Sequence, residues 1–240
     1  MSKVISTFYI DHIDEHNRML KSLYHFHPEV NVDVMTGDEF KKKVSIYAYP
    51  SVELPLFSKY STVTHIDNDV IVLDRIDELF DDSTDVRAGR NNSDSGRCAT
   101  HDGLTLPNID KFMYVNAGIH SVSSAEFMEE WYKLCFDKGH EFPYGEQGTL
   151  NHLFYSGRYN YKLLDPLDSK VHYGTSLIEG TRTYWDLWKE IIVSGDHLEL
   201  RGKRIKMLHI AGGGMTKPPL SSLLQPSVVE FIESILNYGI

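Results

Sequence analysis

Hydrophobic positions near the start of the chain switch between the two-residue period of strands and the 3.6-residue period of helices. Residues 3 to 10 and 30 to 36 alternate like strands, and the apolar side chains between 15 and 26 recur at helical spacing. Residues 38 to 49 predict a second helix, and residues 61 to 67 predict a third strand. This order of elements predicts an α/β fold with parallel strands.

The middle of the chain predicts a loop, a strand and a helix. Residues 81 to 111 are rich in Asp, Ser, Asn and Gly with little periodicity, and we expect a long surface excursion there. Residues 112 to 122 (FMYVNAGIHSV) return as an apolar strand. A helix should follow, with Ser123 and Glu126 placed for a capping box and Gly139 for its C-terminal end.

The last part of the chain predicts a hairpin and a closing helix. Residues 197 to 210 (HLELRGKRIKMLHI) read as a hairpin whose second strand ends at His209, with the basic residues 201 to 206 at a solvated tip. Residues 226 to 236 predict the final helix. Neither an internal repeat nor a linker is evident, so we expect one domain over residues 1 to 240.

Length and composition narrow the class of protein. A chain of 240 residues can bury a full-sized core, and its net charge of −10 argues against nucleic acid as a partner. The two cysteines, Cys98 and Cys135, are too few for a disulfide framework or a metal knuckle. No apolar run approaches the ~20 residues of a membrane span, and the N-terminus lacks a signal-peptide pattern. We expect a soluble, cytoplasmic protein.

The stretch THIDNDVIVLD, residues 64 to 74, places Asp67 and Asp69 between buried-looking apolar residues. Burying a charge is costly unless something pairs with it. One interpretation is that both acids only start a solvated turn. The other is that they bind a cation, because the carboxyl ends of strands in α/β sheets hold ligands and paired carboxylates suit Mg²⁺ or Mn²⁺ with a bound phosphate.

Four segments of the chain together resemble nucleotide-sugar-dependent glycosyltransferases of the GT-A fold. They are, in order, HIDNDVIVL, YVNAGIHSV, EQGTLNHLF and MLHIAGGGMTK. The likeness is closest to the retaining family that includes glycogenin and bacterial lipopolysaccharide galactosyltransferases. The resemblance implies a Rossmann-like, mixed and mostly parallel central sheet flanked by helices. It also implies a nucleotide-binding half over residues 1 to 80 and a donor-sugar and acceptor half over residues 112 to 240.

The resemblance implies that Asp67, Asp69 and His209 bind a divalent metal, Mn²⁺ or Mg²⁺. An imidazole beside two carboxylates suits Mn²⁺. Taken alone, His209 is better interpreted as a satisfied core histidine at a strand end. Asn68, between the two acids, is assigned to the donor.

After His209, the resemblance implies a contact with the leaving diphosphate through Gly212 and Lys217. Backbone amides in AGGG could approach a phosphate, and the lysine could supply a point charge. The spacing from His209 to Lys217 is longer than in the family, and Pro219 replaces the usual aromatic residue. The alternative is a flexible glycine turn with a solvated lysine.

The donor sugar is assigned by resemblance to Asn116, Ala117 and Gly118, whose small side chains would let the backbone approach the ring. Glu146 and Gln147 fall on the family's acid-Gln pair, where Asp is usual, and Gln147 would lie beneath the anomeric carbon. Without the family, the asparagine would mark a bulge or strand end, and the Glu-Gln pair a solvated helix start.

The nucleotide base is assigned to the end of the first strand. Tyr9 and Asp11 match the family's uridine-binding region, and Phe8 or Tyr9 could stack on the base. Two core aromatic residues are the plain alternative. The family's Arg before its Leu-Pro element is missing here, and no basic residue occurs in this region until Lys59.

We therefore expect a metal-dependent hexosyl- or pentosyltransferase that moves a sugar from a nucleotide diphosphate sugar, a UDP-sugar by family expectation, to a hydroxyl of a glycan or other acceptor, with retention. A haloacid-dehalogenase-type phosphatase is an alternative, because IDNDVIVL also resembles its opening motif. A sugar-nucleotide pyrophosphorylase lacks its Gly-rich basic loop here. A GT-A-like domain that binds nucleotide or glycan without turnover is the non-enzymatic alternative.

Overall fold

The structure is a computed structural model, and it describes a defined part of the chain. The described residues are 2–9, 12–36, 48–90, 114–142, 145–164, 171–172, 177–178, 182–183, 188–210 and 219–237. Three assigned site residues, Asp11, Gly212 and Lys217, lie outside them. The helix predicted over residues 38 to 49 is described only from residue 48.

The described part of the chain contains both strands and helices along its whole length. The strands are β1 (Lys3–Phe8), β2 (Asn31–Met35), β3 (Thr62–Ile66), β4 (Val70–Val72), β5 (Val86–Arg90), β6 (Val115–Val122), β7 (Tyr161–Leu164), β8 (Val171–His172), β9 (Leu177–Ile178), β10 (Arg182–Thr183), β11 (Ile192–Ser194), β12 (His197–Leu200), β13 (Lys203–Ile205) and β14 (Met207–His209). The helices are α1 (Ile13–Phe26), α2 (Ala48–Glu53), α3 (Ala125–Lys138), α4 (Glu146–Phe154), α5 (Leu220–Leu223) and α6 (Pro226–Asn237).

Contacts along the backbone group the chain into two compact units. Unit 1 comprises Met1–Asp11, Val30–Asp67 and Asp77–Leu164, and unit 2 comprises His12–Glu29, Asn68–Ile76 and Asp165–Ile240. The division into a nucleotide half and a sugar half that the resemblance implies stays a prediction.

Unit 1 is built on a six-stranded sheet in the order β2-β1-β3-β6-β5-β7. β1 is parallel to both of its neighbours and β5 is parallel to β7, whereas β6 is antiparallel to both β3 and β5. All five residues of β3 are buried, as expected for a strand covered on both faces. The expected fold class, a mixed and mostly parallel central sheet flanked by helices, is confirmed.

The prediction of a surface excursion over residues 81 to 111 is wrong for residues 86 to 90. Residues Val86–Arg90 form β5, an interior strand of the sheet, with Val86, Arg87 and Ala88 fully buried. The sequence of this strand, VRAGR, shows no apolar run because one of its buried residues is Arg87. Its guanidinium donates to the Thr84 carbonyl oxygen at 3.3 Å and lies 3.8 Å from a carboxylate oxygen of Asp81.

Helix α3 packs its apolar face against the sheet of unit 1 and begins one residue later than predicted. Ser124, rather than Ser123, is the N-cap, and its hydroxyl accepts the Phe127 N–H at 3.2 Å. Gly139 is the C-cap as predicted. The core between α3, α4 and strands β5 and β6 contains Val86, Ala88, Val115, Ala117, Val122, Phe127, Met128, Trp131, Cys135, Leu150, Leu153 and Phe154.

The described part of unit 2 contains three small sheets. In the first, β14 lies between β4, to which it is antiparallel, and β8, to which it is parallel. The second has the order β11-β12-β13, and the third is the antiparallel pair of β9 and β10. The hydrophobic core of unit 2 contains Ile71, Leu73, Trp188, Ile191, Leu198, Leu200, Ile205, Leu208, Ile210, Leu223, Leu224, Val228, Ile232 and Ile235.

The predicted hairpin is confirmed only for its first part. β12 and β13 pair through a turn at Arg201 and Gly202, whose φ angles are 54° and 75°. The second strand then stops at Ile205, and β14 continues into the other sheet, where it ends at His209 as predicted. Within the described ranges, no helix combines the length and apolar character that crossing a membrane requires.

Candidate active site

Asp67 follows the buried strand β3 and belongs to unit 1. Its backbone N–H donates to the Gly118 carbonyl oxygen at 2.9 Å, which continues the β3–β6 ladder by one residue. The side chain is 22% exposed, so it reaches the surface at the carboxyl end of a strand. This is the place where ligands bind in open α/β sheets.

Asp69 and His209 are neighbours in unit 2. His209 pairs with Val70 across β14 and β4, and the Ile210 N–H donates to the Asp69 carbonyl oxygen at 3.1 Å. This register brings His209 Nε2 within 3.1 Å of Asp69 Oδ1, although both residues are buried. The sequence prediction that connects these two residues thus corresponds to a direct contact.

The donor set fits a divalent metal. Neighbouring ligands of an octahedral ion, each about 2.1 Å from it, stand about 3.0 Å apart, which is close to the Asp69–His209 spacing. Asp67, two residues before Asp69 in the chain, offers a further carboxylate, and each of the three side chains presents one ligand atom that could hold an ion. Two carboxylates and an imidazole suit Mn²⁺ or Mg²⁺, with positions left for substrate oxygens.

Arg18 on α1 places a cation in the same unit as Asp69. Burial lowers the pKa of its guanidinium, and the negative charges of Glu15 and Asp69 act in the opposite direction. The half-buried guanidinium of Arg18 therefore supplies positive charge that interacts with Asp69. Nothing in its sequence context had marked it.

The carboxylate of Asp67 is held by two side chains of unit 1. The Tyr49 hydroxyl donates to Asp67 Oδ1 at 3.1 Å, and His65 Nε2 lies 3.1 Å from the same oxygen. The other ring nitrogen of His65, Nδ1, lies 3.0 Å from Glu53 Oε1. Burial alone would lower the pKa of His65, but hydrogen bonds and charges of Asp67 and Glu53 raise it to about 9.

Glu53 joins two histidines inside unit 1. Its Oε2 lies 2.8 Å from His120 Nε2, and neither side chain has any exposed surface. Burial alone would raise the pKa of Glu53, but His120 and His65 hold it below its usual value. His65 and His120 are directly opposite each other on β3 and β6, and their rings stack at 5.3 Å.

Sequence reasoning missed this cluster of Tyr49, Glu53, His65 and His120. Its one available signal was a histidine inside each of two otherwise apolar strand segments, THI and GIHSV. The glutamate comes from a short helix before the sheet strand, so no local pattern connects it with them.

The Asn-Ala-Gly segment lies against Gln147. Gln147 Oε1 accepts from both Asn116 Nδ2 and the Ala117 N–H, each at 3.1 Å. The Gly118 N–H in turn donates to Asn116 Oδ1 at 2.9 Å. The ladder between β5 and β6 shifts register at Gly89, which corresponds to a bulge in this segment. Asn116 therefore marks both a bulge and a contact with the predicted catalytic glutamine.

Glu146 and Gln147 open α4, as the solvated-helix-start alternative assumed, but their side chains are engaged with the protein. Glu146 Oε2 accepts the Tyr49 N–H at 3.3 Å. The Glu146 carbonyl oxygen accepts from Trp131 Nε1 at 3.2 Å, which fixes the first turn of the helix against α3. Contacts in unit 1 thus connect Glu146, through Tyr49, with Asp67.

The end of β1 contributes aromatic side chains to unit 1. Tyr9 is half-buried, and its N–H donates to the Met35 carbonyl oxygen at 3.3 Å. The Phe8 ring lies 5.5 Å from Tyr49 and 5.3 Å from His65. Phe8 is thereby part of the aromatic packing around His65.

Comparison with known proteins identifies the fold. No protein-family model matches the chain, and no curated protein matches it. The apo structure of the WbbM bifunctional glycosyltransferase matches with a TM-score of 0.61 at 15% identity, over 99% of this chain and 50% of WbbM. The galactosyltransferase LgtC, solved with donor and acceptor sugar analogues, matches with a TM-score of 0.53 at 14% identity, over 98% and 95% of the two chains.

These matches confirm the GT-A-like resemblance at the level of the fold. This chain spans about half the length of WbbM. Fold alone does not specify chemistry, so activity has to be argued from the side chains.

Proposed function

We propose that the chain is a metal-dependent glycosyltransferase that moves a sugar from a nucleotide diphosphate sugar to an acceptor hydroxyl. The observation that carries the proposal is the buried contact between Asp69 and His209 at 3.1 Å, on a fold shared with solved glycosyltransferases. A buried carboxylate beside an imidazole is an expensive arrangement for a core but a suitable one for a metal ligand pair.

Asp67, Asp69 and His209 would hold the ion, with Mn²⁺ as the preferred metal and Mg²⁺ as the alternative. The bound cation would neutralise charge on the leaving diphosphate. Arg18 would add positive charge from α1. Asn68, Gly212 and Lys217 remain assigned to the donor as predictions.

The residues of unit 1 would hold the donor sugar. Asn116, Ala117 and Gly118 present a bulged strand segment, and Gln147 is fixed beside it by two hydrogen bonds to its amide oxygen. Because both lone pairs of that oxygen are used, Gln147 would exchange one of these bonds when it faces the anomeric carbon. Glu146 would bind sugar hydroxyls.

The finer specificity follows from the family resemblance. We propose a UDP-sugar as the donor, with Tyr9 and Asp11 near the base, and a glycan or other hydroxyl compound as the acceptor. Transfer would proceed with retention, by attack of the acceptor from the leaving-group face.

The test is release of nucleoside diphosphate from a panel of nucleotide sugars, with Mn²⁺, with Mg²⁺ and after chelation. We expect turnover of one nucleotide class that requires the metal. Asp69→Asn should abolish it with the fold retained, and Asp74→Asn, which only breaks an ion pair with Arg204, should keep it.

Three outcomes would contradict the proposal. A fully active Asp69→Asn variant would remove the metal assignment. Absence of binding to every nucleotide, together with hydrolysis of a phosphate monoester that needs Mg²⁺, would identify the phosphatase alternative. Nucleotide binding without turnover on any acceptor would identify a binding domain.

A further inference from the structure

We propose that Glu53 is a positioning residue that orients both the metal-binding carboxylate of Asp67 and the sugar-binding segment around Ala117. The inference rests on the proposed function, since it assigns Glu53 a task toward residues whose roles are proposed. All of the residues involved belong to unit 1.

The first connection runs from Glu53 to Asp67 through one imidazole. His65 uses Nδ1 toward Glu53 Oε1 at 3.0 Å and Nε2 toward Asp67 Oδ1 at 3.1 Å. With both nitrogens engaged by carboxylates, the ring cannot rotate without losing two contacts. The position of Asp67 Oδ1 is thus set by a buried group two contacts away, with the Tyr49 hydroxyl as a second support at 3.1 Å.

The second connection runs from Glu53 to the sugar segment through the other imidazole. His120 Nε2 lies 2.8 Å from Glu53 Oε2, and His120 Nδ1 lies 2.6 Å from the Ala117 carbonyl oxygen. The Ala117 N–H is the group that donates to Gln147 Oε1. Glu53 therefore holds the Ala117 carbonyl through His120, while Gln147 holds the N–H of the same residue.

Helix α2 presents the two supporting side chains together. Tyr49 and Glu53 are four residues apart and so lie on the same helix face. The Tyr49 ring packs edge-on against His65 at 4.6 Å and against His120 at 5.8 Å. Glu53 has no exposed surface inside this aromatic enclosure, so water does not compete for its carboxylate.

Stability alone does not explain this arrangement. A buried ion pair is often no better for folding than well-packed apolar residues of similar volume. Groups that hydrogen-bond to metal ligands, by contrast, set ligand orientation, and their loss weakens metal affinity by about 10–100-fold. Through His65 and His120, Glu53 is connected to Asp67 and to the Ala117 carbonyl. These connections are the ones expected of a group that orients both.

The experiment measures Mn²⁺ affinity from the electron paramagnetic resonance signal of the free ion, without any turnover. We expect Glu53→Gln and His65→Phe each to weaken Mn²⁺ binding by about 10–100-fold. Glu130→Gln removes a carboxylate of unit 1 that pairs with Arg158, and it should bind Mn²⁺ as the unaltered protein does. Far-UV circular dichroism verifies that each variant is folded.

His65→Phe separates positioning from simple charge. An imidazole carries either no charge or a positive one, so removing it cannot weaken cation binding through loss of negative charge. Removing Glu53 takes away a negative charge and could weaken cation binding for that reason alone. The phenyl ring also keeps the packing against Tyr49 and remains informative if Glu53→Gln fails to fold. In a second readout, His120→Phe should raise KM for the donor at saturating Mn²⁺ and leave Mn²⁺ affinity unchanged.

The outcomes distinguish the two proposals. If the unaltered protein binds Mn²⁺ and Asp69→Asn does not, but His65→Phe binds as tightly as the unaltered protein, the positioning role is wrong and the proposed function stands. If the unaltered protein binds neither Mn²⁺ nor Mg²⁺, both are overturned.

Discussion

Asn151 should contribute more to the stability of unit 1 than any exposed amide, because its side chain makes two buried hydrogen bonds between α4 and β6 and a third within α4. Its Oδ1 accepts the Val115 N–H at 2.7 Å, and its Nδ2 donates to the carbonyl oxygens of Val115 at 2.9 Å and Gln147 at 2.8 Å. The residue is fully buried. The perturbation we consider is Asn151→Ala.

The magnitude follows from what the substitution leaves behind. A buried N–H or C=O that loses its partner costs about 1–3 kcal/mol, and an ordinary hydrogen bond contributes about 1 kcal/mol. Losing both Val115 contacts and the Gln147 contact therefore destabilises the fold by about 3–5 kcal/mol. For a chain of this size, about 3 kcal/mol corresponds to a fall in Tm of about 6–12 °C.

Asn151→Asp tests the same geometry with nearly unchanged volume. A carboxylate oxygen would then face two carbonyl oxygens in place of the NH₂ group, and burial adds to that repulsion, so the pKa of the introduced carboxyl is raised. A raised folded-state pKa means that the protonated form is favoured by folding. The penalty of Asn151→Asp should accordingly shrink as pH falls from 7 toward 5.

The assay is urea unfolding followed by circular dichroism, with Asn160→Ala as the matched deletion of an exposed amide in the same unit. We expect Asn160→Ala to change the free energy of unfolding by less than about 0.5 kcal/mol. A loss below about 1 kcal/mol for Asn151→Ala would refute the reasoning, because it would mean that the Val115 backbone groups find other partners.

Two further predictions concern single residues outside the proposed chemistry. Burial raises the pKa of the Cys135 thiol to about 12. In a Cys98→Ser background, the folded protein should therefore resist iodoacetamide at pH 8 and react only when it is unfolded. Rapid labelling of the folded protein would contradict this. Gly202→Ala should destabilise the protein by about 1 kcal/mol in thermal unfolding, because φ is 75° there while no atom lies within 4 Å of the added Cβ. Gly202→Asn, which tolerates this region better, should lose less, and equal losses would point to a cause other than backbone strain.

The first strands and the long helices could be predicted from the sequence because each buries one apolar face. β1, β2, β3 and β6 lie within the predicted segments, and α1 ends at Phe26 as the pattern indicated. Strand β5 could not be predicted in this way. Its second residue, Arg87, is fully buried with its charge near Asp81, so the local pattern looks polar although the strand is interior.

The residues of the candidate site also fall into two groups, those that the sequence could predict and those that it could not. Asp67, Asp69, Asn116 and Gln147 could be proposed because short motifs carry them. Glu53, His65 and His120 could not, because their relation consists of contacts between residues that are far apart in the chain. Only the opposite placement of the two histidines on β3 and β6 reveals that they share one carboxylate.

The antiparallel insertion of β6 into a mostly parallel sheet determines which residues can meet at Asp67. In a fully parallel sheet, this edge would collect only carboxyl ends of strands. Because β6 runs against β3, Ile66 pairs with Ile119, and the Asp67 N–H donates to Gly118. The early residues of β6 therefore lie beside the late residues of β3. The Asn-Ala-Gly segment of β6 and Asp67, which follows β3, thus become neighbours. The buried Glu53 can therefore be connected to both through His65 and His120.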